Sequence, residues 1–332
     1  MSVMTRLKRH VLKNASGMEV EILNLGARIG QIWCPINEQL VPMLVAYDKA
    51  EGFETDEFYL GATCGRVCNR IGGGTFELAG QTYSLDQNDG DNTLHGGTGN
   101  LSFQYWEMDL ENATSEKVVL SAQSHDMQGG FPGLLKLQVE YCLTDENGLE
   151  IHFRANTNKA TPVNLTNHAY FSLGEATAKS LEMNVQSEQF LERLGIGVPT
   201  GELLSSELVS KDLKTGVNIG ELIENSSYQQ IQQEQGLDHC FVLLGETSEA
   251  KASLSSKTTG IKMDVFTDQP TAQVYTGKFL CGEFVPYQGV CIECHGYVDA
   301  VNQPHFPSVI LQPDDTYESY IRYQFSETAS NR

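Results

Sequence analysis

Short runs in which apolar and polar residues alternate with a period of two recur along the chain, and this pattern most narrows what it can fold into. Gly17–Leu25 (GMEVEILNL), Val118–Ala122, Leu134–Leu143 (LLKLQVEYCL), Leu149–Ala155 (LEIHFRA), Asp238–Leu244 (DHCFVLL) and Gly260–Phe266 (GIKMDVF) each read as a strand with one apolar face. Turn-forming clusters separate such runs: Asn14 to Gly17, Gly72-Gly73-Gly74, Asp86 to Asp91, and Asp145-Glu146-Asn147-Gly148. The last joins two strand-like runs and predicts a hairpin. Helical periodicity is confined to Gly220–Gln235, which has room for one short helix. No linker, low-complexity tract or fixed-period repeat interrupts the pattern. The expected fold is all-β, a large antiparallel β-sandwich forming one domain over residues 1–332, with a loose tail from about residue 326.

A 332-residue chain is long for one domain. All-β sandwiches nevertheless reach this size, and they bury a substantial core without metal or disulfide. The 22 basic and 43 acidic residues give a formal charge of −21. That field repels phosphate backbones and anionic membranes, which argues against a nucleic-acid or membrane partner and weakly for a neutral ligand. The first residues, MSVMTRLKRHVLKNASG, carry basic groups with no apolar stretch behind them, so they do not read as a secretory signal. No run approaches the ~20 apolar residues that span a bilayer. The expected location is the cytoplasm, where the eight cysteines are reduced thiols and the Asn-x-Ser/Thr triplets carry no glycan. A monomer and a homodimer are both compatible with this surface.

Three segments set titratable residues inside otherwise apolar strand patterns: Gly61–Leu78 with Asn92 to Gly97, Thr161–Leu173 (TPVNLTNHAYFSL), and Val290–Pro307 (VCIECHGYVDAVNQPHFP). If the second is one strand, Asn164, Thr166, His168 and Tyr170 share a face. That face is either solvent-exposed, which the pattern alone favours, or the wall of a polar pocket. In the third, Cys291, Glu293 and His295 share a face and Val290, Ile292 and Cys294 the other. Apolar flanks desolvate the Glu293 carboxylate, which raises its pKa and makes it a better base near neutrality; a salt-bridged structural Glu is the alternative.

Cys291 to His295 also spells C-x-x-C-H, the haem-attachment pattern. A strand would point its two thiols to opposite faces, and no export signal accompanies it, so haem is rejected. A zinc site from Cys64, Cys68, Cys291 and Cys294 requires two distant segments to meet, and buried free thiols are the simpler reading. There is no Walker loop, no dinucleotide-binding glycine motif between strand and helix, and no nucleophile elbow. Gly72-Gly73-Gly74 precedes a strand-like TFELAG and reads as a turn. No metal and no cofactor is expected.

Taken in order, these segments resemble the galactose mutarotase (aldose 1-epimerase) family. The family's G-R-x-x-N-R-I and L-H-G-G appear as Gly65 to Ile71 and Leu94 to Gly97. Its N-L-T-N-H-x-Y-F appears as Asn164 to Phe171, and its G-x-D-H as Gly236 to His239. Its Y-T-G appears as Tyr275 to Gly277, and its late acidic strand with N-Q-P-x-F-P as Glu293 and Asn302 to Pro307. The match runs from about residue 20 to 322.

The resemblance implies a β-supersandwich with an open cleft for one hexose. It further implies Glu293 as general base, His168 as general acid, and Arg70, His95 and Asp238 holding the sugar hydroxyls. Asn69, Tyr170 and Gln273 are implied neighbours. Three departures bear on sugar preference: His295 where the family usually has Gln, Thr98 to Leu101 where Gly-Phe usually follows L-H-G-G, and Lys211 to Lys214 in place of Asp-Phe-Arg. His295 shares the face of Glu293, where it is either a group that shifts that carboxylate's pKa or its hydroxyl contacts, or a bystander. The rival functions are a glycoside hydrolase, enlisting Asp238 as a second carboxylate, and a non-catalytic sugar-binding module.

Overall fold

The computed structural model describes residues 6–195 and 197–328. Strand Leu135–Leu143 shows how the alternation builds the molecule. Leu135, Leu137, Val139, Tyr141 and Leu143 are buried while Lys136 and Gln138 are exposed, so one face faces the core and the other water. The Asp145–Gly148 turn returns the chain into Gly148–Thr157, with Leu143 opposite Leu149 and Asn147 in the left-handed region that tight hairpins use.

Seven further strands extend this hairpin into a nine-stranded antiparallel sheet. It includes Lys117–Ser124, Tyr317–Glu327 and Ile261–Thr267. A six-stranded sheet runs in the order Tyr170–Phe171, Val290–His295, Thr271–Tyr275, Asp238–Leu243, Ser187–Arg193 and Pro199–Ser205. The two sheets share one apolar cluster, in which Phe241, Val274 and Ile292 of the smaller meet Met263, Val265 and Ile321 of the larger. Phe171 and Tyr323 make an edge-on ring contact with centroids 4.8 Å apart. A four-stranded sheet over Arg9–Lys13, Glu19–Leu23, Arg28–Ile36 and Gln39–Pro42 adds Leu12, Val20, Ile29 and Ile32 to the same core. No helix among the described residues is long and apolar enough to cross a membrane.

The structure corrects two expectations. Gly220–Gln235 holds two helices, Ile219–Asn225 and Gln229–Glu234. Asn218 caps the first by accepting from Glu221 N, and Ser226 then turns extended while its hydroxyl accepts from Tyr228 N. Thr161–Leu173 is not one strand. It breaks into Thr161–Pro162, Thr166–Asn167 and Tyr170–Phe171, which pair with Ile310–Leu311, Thr63–Cys64 and Val290–Cys291 in turn. Asn164 and Asn167 accept from backbone N–H groups of Gly296 and Ala169, so side chains replace the ladder between these pieces. At the start of the expected tail, Ser326 and Glu327 pair with Lys262 and Ile261; residues 329–332 lie outside the described part.

Buried arginines tie the loops above the six-stranded sheet. Arg66 donates to the Pro132, Gly133, Ser124 and His125 carbonyls and to the Thr161 and Ser124 hydroxyls. Arg28, fully buried, donates to Asp56 Oδ2 at 2.8 Å and to the Leu25, Leu60 and Ser102 carbonyls. Asp56 in turn accepts from Phe58 N and Leu60 N, so it pins the loop that carries Tyr59. Replacing Asp56 by Ala leaves a buried guanidinium without its counter-charge. The expected loss is about 3–5 kcal/mol of unfolding free energy by urea titration, largely recovered in an Arg28→Met, Asp56→Leu double variant. A loss under about 1 kcal/mol would show that the pair contributes little.

Candidate active site

Strand Val290–His295 is buried throughout. Val290, Ile292 and Cys294 join the main core. Cys291, Glu293 and His295 take the opposite face, as the alternation requires. Antiparallel register sets Tyr170 opposite Cys291, Gln273 opposite Glu293, and Asp238 opposite Tyr275. Residues directly opposite each other project to the same side, so these strands form the floor of a cleft. On that floor Gln273 Nε2 donates to Asp238 Oδ1 at 2.6 Å. Glu293 Oε1 lies 3.6 Å from His168 Nε2, and Glu293 Oε2 is buried with no hydrogen-bond partner among the described residues.

Loops form the other wall. His168 sits between two short strands, and its backbone exchanges hydrogen bonds with Ala62 O and Gly61 N. Asn69 and His95 both adopt left-handed backbone, with φ of 54° and 51°. They clasp each other: His95 N donates to Asn69 O at 2.9 Å, and Asn69 N donates to His95 Nδ1 at 3.2 Å. The second bond fixes the neutral tautomer, because an accepting Nδ1 leaves the proton on Nε2. Arg70 N donates to Asn69 Oδ1, and Arg70 Nε donates to Asp89 Oδ2 at 2.7 Å.

The structure thus brings Glu293, His168, Arg70, His95, Asp238, Asn69, Tyr170 and Gln273 into one cleft of about 180 Å³. Asn164, Thr166, His168 and Tyr170 are all buried, so the solvent-face reading of that segment fails. Tyr59, Phe58, Tyr275 and Phe279 also line the cleft and were not singled out as site residues. Tyr59 lies with its ring centroid 4.6 Å from that of His95 on a backbone with φ of 60°, a conformation no local motif announces. A larger hollow of about 910 Å³ lies by the N-terminal sheet, near Trp33 and Tyr47, but none of its charged residues is buried.

Burial dominates the electrostatics. It pushes the Glu293 carboxyl well above its ordinary value, with the Asp238 charge adding and Arg70 opposing. It pushes His168 down to about 4, with its own carbonyl and Asp238 opposing. Geometry alone would make Glu293 and His168 an ion pair. Burial disfavours the charged form of each, and we take the resting pair to be a neutral carboxyl beside a neutral imidazole. His95 is lowered further, by burial and then by His168 and Arg70. His295 is fully buried, with Nδ1 2.6 Å from Gly296 O, and sits near 4. After burial, it contributes to lowering His95 and His168.

His95, His168 and Glu293 each bring a ligand atom within 4.8 Å of the others, a donor set that a transition metal could also use. Cys291 and Cys294 point to opposite faces, and all eight cysteines are free thiols. His239 faces away from the cleft, toward Gln230.

A family model described as aldose 1-epimerase matches residues 8–324. The galactose mutarotase of Bos taurus is 36% identical over 296 residues, covering 86% of this chain and 84% of that one. The aldose 1-epimerase of Escherichia coli K12 is 30% identical over 329 residues, covering 95% and 94%. The chain belongs to the aldose 1-epimerase family. The crystal structure of an aldose epimerase homologue from C. elegans superposes with a TM-score of 0.89 at 27% identity, covering 97% of this chain and all of that one. That of galactose 1-epimerase from Lactobacillus acidophilus gives 0.87 at 27% identity, covering 97% and 95%. The expected all-β, mutarotase-like sandwich is therefore the fold of this aldose 1-epimerase family member.

The two pKa directions fix the sign of the pH dependence. The Glu293–His168 pair holds one proton between its two macroscopic steps. Below the lower step, near 4, it takes a second proton and no base is left. Above the upper step, raised well beyond the carboxylate range, it loses its last proton and no acid is left. A bell-shaped kcat/KM with a broad neutral plateau is expected. A profile still flat well below pH 4 would rule out this pair.

Proposed function

We propose that the cleft interconverts the α and β anomers of free hexoses, galactose and glucose among them, with Glu293 as general base and His168 as general acid. The observation that carries this reading is a buried carboxyl whose Oε2 has no partner among the described residues and whose Oε1 lies 3.6 Å from an imidazole Nε2, in one cleft. An unpartnered buried acceptor costs about 1–3 kcal/mol unless a ligand donor satisfies it, and a sugar hydroxyl is such a donor.

Anomer exchange needs proton movement and no cofactor. The base removes the C1 hydroxyl proton while the acid protonates the ring oxygen. The ring C–O bond breaks to give the aldehyde, the C1–C2 bond rotates, and reclosure reverses both transfers. A neutral carboxyl–imidazole pair and a carboxylate–imidazolium pair hold the same single proton. Moving it from Glu293 to His168 therefore arms both groups without exchange with solvent. Arg70 and His95 Nε2 donate to sugar hydroxyls, and Asp238, steadied by Gln273, accepts from them. Asn69 holds His95 and Arg70, and Tyr170 lies against His168 with ring centroids 5.0 Å apart.

We infer further that residues 1–332 act as one domain, since a single apolar cluster joins Leu12 to Phe325. The free thiols and the charge of −21 support a cytoplasmic monomer or homodimer with no nucleic-acid partner.

Polarimetry of freshly dissolved α-D-galactose and α-D-glucose tests the reading. The protein should speed the approach to an unchanged final rotation. Glu293→Gln and His168→Asn should each lower kcat by ~10²–10⁴-fold. Near-full rates in both variants would remove the assignment. Release of a chromogenic aglycone would favour a glycosidase, and sugar binding without anomer exchange a binding module.

A further inference from the structure

The floor of the cleft is a rigid sheet, but Arg70 stands on a loop wall and its aim has to be set by something else. Arg70–Ile71 pairs with Thr93–Leu94, with Arg70 opposite Leu94. The loop leading into Thr93 is tightly closed, since Asp89 and Asn92 exchange backbone hydrogen bonds and Gly73 N donates to Asn92 Oδ1. This closure sets the Asp89 carboxylate beside the Arg70 side chain, where Oδ2 accepts from Nε at 2.7 Å. The guanidinium has five N–H donors in a planar fork. Asp89 takes the Nε one, and the Nη1 and Nη2 donors have no hydrogen-bond partner among the described residues.

A second contact limits the plane of that fork. Gly197 lies against the guanidinium so closely that an added Cβ would stand 2.7 Å from both Cζ and Nη1. Its φ of 82° is also one that other residues rarely adopt.

We propose that Asp89 is a positioning residue for sugar binding: it holds Nε of Arg70, and with the Gly197 backbone across the guanidinium it presents Nη1 and Nη2 to the sugar hydroxyls. The inference rests on the reading of the cleft as a hexose site. Asp89 touches no sugar in this scheme and acts only through Arg70. Losing it frees a long side chain to swing, so binding suffers and proton transfer at Glu293 and His168 does not.

A double-mutant cycle over Asp89→Ala and Arg70→Ala tests this, with KM and kcat for galactose from polarimetry and galactose binding from calorimetry. Asp89→Ala is expected to raise KM about tenfold with kcat within about twofold, the loss of one charge-assisted contact. In the Arg70→Ala background the same change should cost nothing more. Asp89→Asn keeps an acceptor for Nε and should recover part of the affinity. Gly197→Ala should raise KM, with its thermal midpoint checked to show that it folds.

An equal KM increase with and without Arg70 would overturn the proposal, as would an unchanged KM in Asp89→Ala. Should Asp89→Ala fail to fold, the cycle runs on Asp89→Asn. If the unmodified protein bound galactose without exchanging anomers, the proposed activity would fall. The calorimetric cycle would still decide whether Asp89 acts through Arg70.

Discussion

Strand Val290–His295 is buried on both faces, and the two faces are buried for different reasons. Val290, Ile292 and Cys294 are removed from water by the second sheet, the ordinary hydrophobic contribution of a sandwich core. Glu293, between them on the other face, is removed from water because loops close over it. An ionisable group tolerates such a place only by giving up its charge or finding a partner. Burial raises the pKa of Glu293 well above the ordinary carboxylate range, and a carboxyl so raised is a stronger base once its proton is drawn away. The proposed acid–base chemistry of the cleft rests on that desolvation, and the core behind the strand holds the group in place.

The loop wall is a different kind of construction. Its backbone departs from strand and helix geometry at Tyr59, Asn69 and His95, all with positive φ. Such conformations persist only where surroundings impose them. Here Arg28 and Asp56 fix the Tyr59 loop, Arg66 ties the Gly65–Ile71 run to carbonyls from two other segments and to the Thr161 hydroxyl, and Asn69 and His95 hold each other. Charged groups buried against carbonyl oxygens supply the rigidity that a loop cannot obtain from a ladder of hydrogen bonds. Histidine tautomers come out of the same contacts, since Asn69 N sets His95 and Gly296 O sets His295.

Much of this was legible in the residues. The period-two runs located strands such as Leu135–Leu143 and Ile261–Thr267, because a side chain's face in a strand depends only on its own position in the alternation. The motifs named Glu293, His168, Arg70, His95 and Asp238, and these converge in space. The Thr161–Leu173 segment, if one strand, carried an alternation that favoured a solvent face over a pocket wall, and local pattern could not decide between them. Its polar residues satisfy three different neighbours, and no local pattern encodes which neighbour arrives. Tyr59 and Asp89 went unnoticed because their roles come from backbone turns and from loop closure.

By itself, then, the sequence determined the strand class, the apolar face of each strand, the turn positions and the identity of the titratable residues, since these depend on local stereochemistry and composition. The tertiary structure alone decided which of those residues are dehydrated, which nitrogen carries a proton, and which loops stand over the sheet. Register and burial are properties of pairs of segments far apart in the chain. The shifts that separate Glu293 and His168 from ordinary side chains arise only when the sheets and loops close around them.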